Sequence, residues 1–253
     1  MLSLLDVFTP VAPVWTTDDL MRYLGSPRST CYRYLKALHN AGLLARVANG
    51  SYMLGSRILE LDRTTRLCDP IYVVGTSIIQ RLTEQTGYSS LLCILFSDSV
   101  MCVQQALGPD APPQLFSRGQ RRPLIEGASA KIILAHLPMH QLRGLYAEHR
   151  KSIAATGLGS DWSRFKKALK QIRSDGYCRT VGEYNPGVIS IAVPLFNRAG
   201  EVLGSLAMVA SIDHSDVNEF RTLTPTVIQA GLEISQRIGA TENLVDLPAR
   251  AIG

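Results

Sequence analysis

Residues 26–54, SPRSTCYRYLKALHNAGLLARVANGSYML, constrain the fold of this chain more than any other stretch. Ser26 can serve as an N-cap, and Pro27 suits the first helical position. Cys31, Tyr34, Leu35 and Leu38 follow at three- and four-residue spacing, the stripe of an amphipathic helix. Ala41-Gly42 closes that helix, with Gly42 suited to a left-handed C-cap. Residues 43–47, the Asn49-Gly50 pair and residues 51–54 then read as a short β-hairpin, because Asn-Gly is the strongest two-residue hairpin signal. Upstream, Thr17-Asp18-Asp19 starts a helix that Gly25 ends after Leu24, and residues 3–8 supply a first helix. Two short helices joined at Gly25-Ser26 and followed by a hairpin have the layout of a winged helix-turn-helix, whose partner is double-stranded DNA.

The distribution of charge agrees. Residues 20–59 hold Arg22, Arg28, Arg33, Lys36, Arg46 and Arg57 and no Asp or Glu, although the whole chain carries a net charge of only +5. Contacts to phosphate fix position, and each adds roughly 0.9 to the salt slope of binding. Base reading falls to Arg28, Ser29, Thr30, Tyr32 and Arg33 on the outward face of the helix. Pro27, Arg22, Lys36, and Arg46 and Asn49 of the wing complete the expected DNA-contacting set.

At 253 residues the chain has room for a small domain and a larger one. The sequence holds no apolar run of membrane-spanning length and no signal-peptide pattern, so no membrane partner and a cytoplasmic location are expected. Cys31, Cys68, Cys93, Cys102 and Cys178 are odd in number and widely spaced, which suits reduced, mostly buried thiols. His136 and His140 are four apart, but Pro138 between them spoils a shared helical face, so exposed histidines are expected there and not a metal site. No phosphate loop, nucleophile elbow or dinucleotide fingerprint occurs, and no cofactor is implied.

The expected domains are 1–54, the winged helix-turn-helix; 55–68, a linker helix; and 69–253, an effector-binding domain. In the connector, Ile58, Leu59 and Leu61 form an apolar edge able to pair with a second copy. Beyond it the pattern predicts a helix over 71–85, strands over 89–96 and 100–106, a short strand over 115–117, and helices over 128–137, 139–148 and 162–174. Strands over 177–181, 188–196 and 202–209 and a helix over 225–238 follow. The fold class is α+β, an antiparallel sheet flanked by helices behind the DNA-binding unit.

In these pieces and their order the chain resembles the IclR-type bacterial transcriptional regulators. The resemblance is carried by LLDVF, PRSTCYRYLKALHNAGLLAR, SYMLGSRILEL, RPLIEGASAKIILAHLP and GYCRTVGEYNPGVISIAVPLFNRAGEVLGSLAM, spread over nearly the full length. It implies a GAF-like C-terminal domain that binds a small-molecule effector, and homodimers or dimers of dimers on partly palindromic operators of a catabolic operon. In such regulators a small acid sits between a helix start and the last strands. The matching positions are Ala128 and Ser129 at the helix start, Thr180, Val188 and Ser190 on the next strands, and Ala207 and Val209 on the last.

Alternation supports a common face for the strand positions: Val188, Ser190 and Ala192 point one way, and Ile189, Ile191, Val193 and Leu195 the other. A helix start welcomes a carboxylate through its free N–H groups and dipole. Where the family often has Asp, Cys and Ser, this chain has Thr180, Ser190, Ala207 and Val209. These departures favour an aromatic or otherwise partly apolar carboxylate over a two-carbon acid. The expected protein is a ligand-responsive regulator and not an enzyme. A second reading stays open: a redox or metal sensor, or an enzyme, built on the same α+β domain and carrying a DNA-binding domain.

Overall fold

A computed structural model describes residues 1–113 and 115–245, in two compact units, Met1–Cys68 and Asp69–Gly253. The first unit opens on a 3-10 helix, Leu2–Val7, that places Leu4 and Val7 in a small core. Then come β1 (Trp15–Thr16), α1 (Thr17–Leu24), α2 (Arg28–Asn40), β2 (Leu44–Arg46), β3 (Ser51–Leu54) and α3 (Arg57–Cys68). Thr16 caps α1 by accepting from the Asp19 N–H, and the Gly25 N–H closes the helix on Met21 O at 3.1 Å. Cys31, Leu35 and Leu38 of α2 are buried against Leu20, Leu44 and Tyr52, as the stripe predicts. Gly42 takes φ +72, and the Leu43 N–H bonds back to Leu38 O at 2.9 Å, which satisfies an end carbonyl of α2.

Three local expectations are corrected. Ser26 does not cap α2; Pro27 holds that position without a side-chain bond, and Ser26 Oγ turns back to Leu24 O at 3.3 Å. The wing loop is longer than two residues: Ala48–Gly50 forms a 3-10 turn with Asn49 at φ +59 and Gly50 at φ +71. The wing also gains a strand the pattern did not show, because Trp15 and Thr16 pair with Tyr52 and Ser51. Two residues are too short to produce alternation.

The second unit begins with α4 (Pro70–Thr86), capped by Asp69, and continues through β4 (Ser89–Phe96), β5 (Ser99–Ala106) and β6 (Arg121–Pro123). Helices α5 (Ala128–His136), α6 (Met139–Ala155) and α7 (Trp162–Asp175) lead to β7 (Cys178–Val181), β8 (Val188–Phe196) and β9 (Val202–Ser211). It ends in α8 (Val217–Thr222) and α9 (Thr224–Val245). The strands form one antiparallel sheet among the described residues, in the order β6-β5-β4-β9-β8-β7. The strand expected at 115–117 is irregular instead; the strand that pairs with β5 lies six residues later, where Arg121 and Arg122 oppose Met101 and Val100. α6 runs past the expected 148 to Ala155, with a break from helical geometry at His149.

The sheet separates two cores. Ile189, Ile191, Val193 and Leu195 of β8, with Leu206 and Met208 of β9, pack on Ile78, Ile79 and Leu82 of α4 and on Val227, Ile234 and Ile238 of α9. Ala192, Ala207 and Val209 face the other way, into the core that holds α5, Phe165 and Leu169. Their small side chains let α5 lie close, and eight of its nine residues are buried.

The expectation of two exposed histidines holds for His140 and not for His136. His136 is half-buried at the end of α5, its ring 5.0 Å from that of Phe196, and its Nε2 has no partner among the described residues. Burial, reinforced by the charge of Arg173, holds its pKa down at about 4. Between pH 6.5 and 4 the unfolded chain therefore binds a proton that the folded chain refuses. The stability tied to this group is complete above pH 6.5 and is lost as pH falls towards 4, by about 3 kcal/mol at most. Urea unfolding of the His136→Leu variant should show a shallower loss over that window than the parent; an identical slope in both would count against it.

Candidate functional site

On α2, Arg28, Ser29, Tyr32, Arg33 and Lys36 are exposed and Thr30 is half-buried. They follow one another at helical spacing on the side opposite Cys31, Leu35 and Leu38. Arg28 is not a free reader. Its guanidinium donates to Tyr32 Oη at 3.3 Å and lies 5.5 Å from that ring, so the two side chains hold each other on the outer face. Arg33 lies 5.7 Å from the ring of Tyr34. In the wing, Arg46 Nε donates to Tyr52 Oη at 3.1 Å, and Asn49 stands exposed at the turn. Arg22 was expected to be one of the DNA-facing cations, but it forms an ion pair with Asp19, just outside the acid-free window. Arg57 likewise pairs with Glu60 beyond the window's other end. The exposed cations outside such pairs in this unit thus include Arg28, Arg33, Lys36 and Arg46, on α2 and the wing.

In the second unit a cavity of about 50 Å³ opens at the start of α5. Six of the seven residues expected there line it: Ala128, Ser129, Thr180, Val188, Ser190 and Val209. The strand register explains the convergence. Thr180 opposes Ser190, which opposes Val209, across three neighbouring strands. Ala207 does not reach the wall; it is fully buried where β9 meets β4 and α5. Its side chain lies one step farther along the same face, beneath the helix.

The wall is not as apolar as the sequence suggested. Arg122, Glu126, Glu183, Tyr184 and Asn185 also line the cavity. They come from a short edge strand and from loops, where strand alternation gives no orientation. The Arg122 guanidinium lies 4.3 Å from the ring of Phe116 and 4.1 Å from that of Tyr184. Burial lowers its pKa from the ordinary arginine value, which leaves it a cation at any physiological pH.

Beneath Ser129, Cys93 and Cys102 face each other across β4 and β5, both fully buried. The hydrogen bond between their thiols and then burial push Cys102 well above the usual thiol range. That leaves it inert as a nucleophile. Cys178 is pushed up to about 12, by burial first. No group of three or more potential metal ligands occurs among the described residues.

Lys131 is the charge inside α5. It is buried, donates to Thr156 O at 2.9 Å and forms an ion pair with Glu183 in the loop after β7. This pair ties the loop that carries Tyr184 to the helix that opens the cavity. Removing one member leaves the other buried and uncompensated, at a cost of about 3–5 kcal/mol. Lys131→Met should therefore lower the melting temperature markedly, and Lys131→Met with Glu183→Leu should recover most of the loss. A double variant no more stable than the single one would refute the pairing.

Comparison with known proteins follows the same division. Residues 69–236 match the model of the bacterial transcriptional regulator IclR C-terminal domain, and residues 1–48 match the IclR helix-turn-helix domain. The chain is 23% identical over 240 residues to the HTH-type transcriptional regulator KipR of Bacillus subtilis, covering 95% of this chain and 96% of that protein. A solved IclR transcriptional regulator from Silicibacter sp. TM1040 superposes with a TM-score of 0.79 at 26% identity, covering 94% of each chain. An IclR homologue from Microbacterium hydrocarbonoxydans, solved in complex with 4-hydroxybenzoate, superposes with a TM-score of 0.72 at 20% identity, covering 94% of this chain and 97% of its own.

Proposed function

The chain belongs to the IclR family of bacterial transcriptional regulators, DNA-binding proteins with an effector domain, and we propose from that premise that it reads its operator with α2 and the wing and answers to a partly apolar organic acid held at the start of α5. The observation that carries the effector reading is the convergence of Thr180, Ser190 and Val209, from three strands, on the first turn of α5. Gly127 caps that turn without a side-chain bond, and no acidic residue occupies it. Its N–H groups and dipole thus favour a carboxylate, while Val188, Val209, Leu91 and Phe116 offer an apolar wall. The 4-hydroxybenzoate bound by the Microbacterium homologue is an acid of this type. An aromatic acid as effector and an operon for its catabolism as target follow on this reading. The second unit, read as GAF-like, acts by binding and not by catalysis, and the protein works in the cytoplasm where its operator lies.

On the DNA side, Arg28, Ser29, Tyr32 and Arg33 face the major groove. The N-terminal N–H groups of α2, uncapped by any side chain, meet a phosphate, and Lys36, Arg46 and Asn49 hold the flanking backbone. Helix α3 supports pairing between copies, since Leu59, Leu61 and Leu67 are exposed along it. A homodimer, or a dimer of dimers, would set two recognition helices one duplex turn apart, about 34 Å. The effector acts by binding the two dimer arrangements unequally.

A mobility-shift titration against fragments that the protein enriches from a random-sequence pool tests both halves. Arg28→Ala should cost about 1–3 kcal/mol and relax preference at one base pair. Lys36→Ala should weaken all fragments alike and lower the salt slope by about 0.9. Unchanged binding in both variants would reject this face. In the same assay aromatic acids should alter affinity more than pyruvate or glyoxylate; the reverse order would reject the effector class.

A further inference from the structure

The cavity at the start of α5 is small beside the aromatic acids proposed for it. It has a volume of about 50 Å³, whereas a cavity known to hold a benzene ring measures about 150 Å³. On that reading a wall moves to admit the ring. Two outer depressions, of about 370 and 510 Å³, adjoin the inner cavity, and Arg122 lines all three. Tyr184 is shared between the inner cavity and the larger depression. The partition between inside and outside is thus the stacked set Phe116, Arg122 and Tyr184. Tyr184 rides on the loop 182–187, whose two end glycines both have positive φ, +63 at Gly182 and +82 at Gly187. Phe116 lies in an irregular segment outside any strand. Arg122, by contrast, belongs to β6, paired with Val100 of β5. The cation is anchored, and the rings that cover it sit on loops.

We propose that Arg122 recognises the carboxylate of the effector, and that its stack with Phe116 and Tyr184 is the gate through which the effector enters. The inference rests on the effector reading above and names the residue that selects for charge. With the rings of Phe116 and Tyr184 against the guanidinium, a carboxylate competes for its in-plane N–H groups, the edge it matches in bidentate fashion. Tyr184 then yields its place over the cation and closes on the ring of the acid. The cavity's acids shape the balance. Glu183 is neutralised by Lys131. Glu126, on the turn before α5, opposes a second anion, so Glu126→Gln strengthens acid binding.

The test is calorimetric titration of the full chain with benzoate, 4-hydroxybenzoate and phenylacetate, each beside its neutral amide. The parent should prefer acid to amide by about tenfold or more, and Arg122→Gln should lose that preference while keeping its affinity for the amide. Arg122→Lys should restore part of the preference. Circular dichroism and melting temperature check that each variant folds, and Ser190→Phe, which fills the cavity, should abolish binding of acid and amide alike. Acid affinity unchanged in Arg122→Gln but lost in Ser190→Phe would overturn the role of Arg122 and leave the cavity as effector site. Acid binding that survives both variants, or no binding of any acid to the parent, would overturn both readings.

Discussion

The effector unit is organised by the burial of α5. A helix enclosed on almost every side by sheet and neighbouring helices must present small or apolar groups at nearly every buried position, and the eight buried residues of ASAKIILAH do so with one exception. That exception, Lys131, sets the requirements for its surroundings. Its ammonium has to find a carbonyl and a carboxylate, and it finds Thr156 from the end of α6 and Glu183 from the loop after β7. The carboxylate draws the loop over the first turn of α5, and the loop brings Tyr184 onto Arg122. Glu183, which neutralises one buried charge, thus also borders the cavity that the strand register forms. The cavity's roof is held from below by an ion pair and from the side by a cation against two rings.

The first unit solves a different problem. With only a small core around Leu4, Leu20, Leu35 and Tyr52, it must leave a face free for a polyanion without filling that face with self-paired charge. Acids stand at its edges, where Asp19 and Glu60 take up Arg22 and Arg57. The middle carries cations braced by aromatic rings, Arg28 on Tyr32 and Arg46 on Tyr52. A ring orients a guanidinium without cancelling its charge, which suits a surface that must stay positive until a phosphate arrives.

What the sequence revealed depended on periodicity. The stripe of α2, the alternation of β8 and the helix start at Thr17-Asp18-Asp19 are repeating or local signals, and each led to the right element. The family resemblance pointed to most of the residues that line the cavity, and alternation agreed with it on β8, where Val188 and Ser190 share a face. The misses lie where no period operates. β1 is two residues long, β6 is three, and Phe116, Glu183 and Tyr184 sit in irregular chain. The cavity therefore read as more apolar than it is, because its charged residues arrive from loops. Ala207 shows the opposite limit: the resemblance gave its place on the last strand but not its depth under α5.

One property of β8 and β9 reaches beyond the cavity. Adjacent residues on these strands belong to opposite cores: Ser190 and Val209 line the cavity, while Ile189, Ile191, Met208 and Ala210 lie against α4 and α9. The two strands act as a party wall one peptide thick. A side chain pushed on one side shifts a backbone that its neighbours on the other side share, and close-packed interiors do not absorb such shifts by compression. The shortest path from the cavity to α4, the first helix after the linker, thus needs no chain of relaying side chains. It crosses a single residue step.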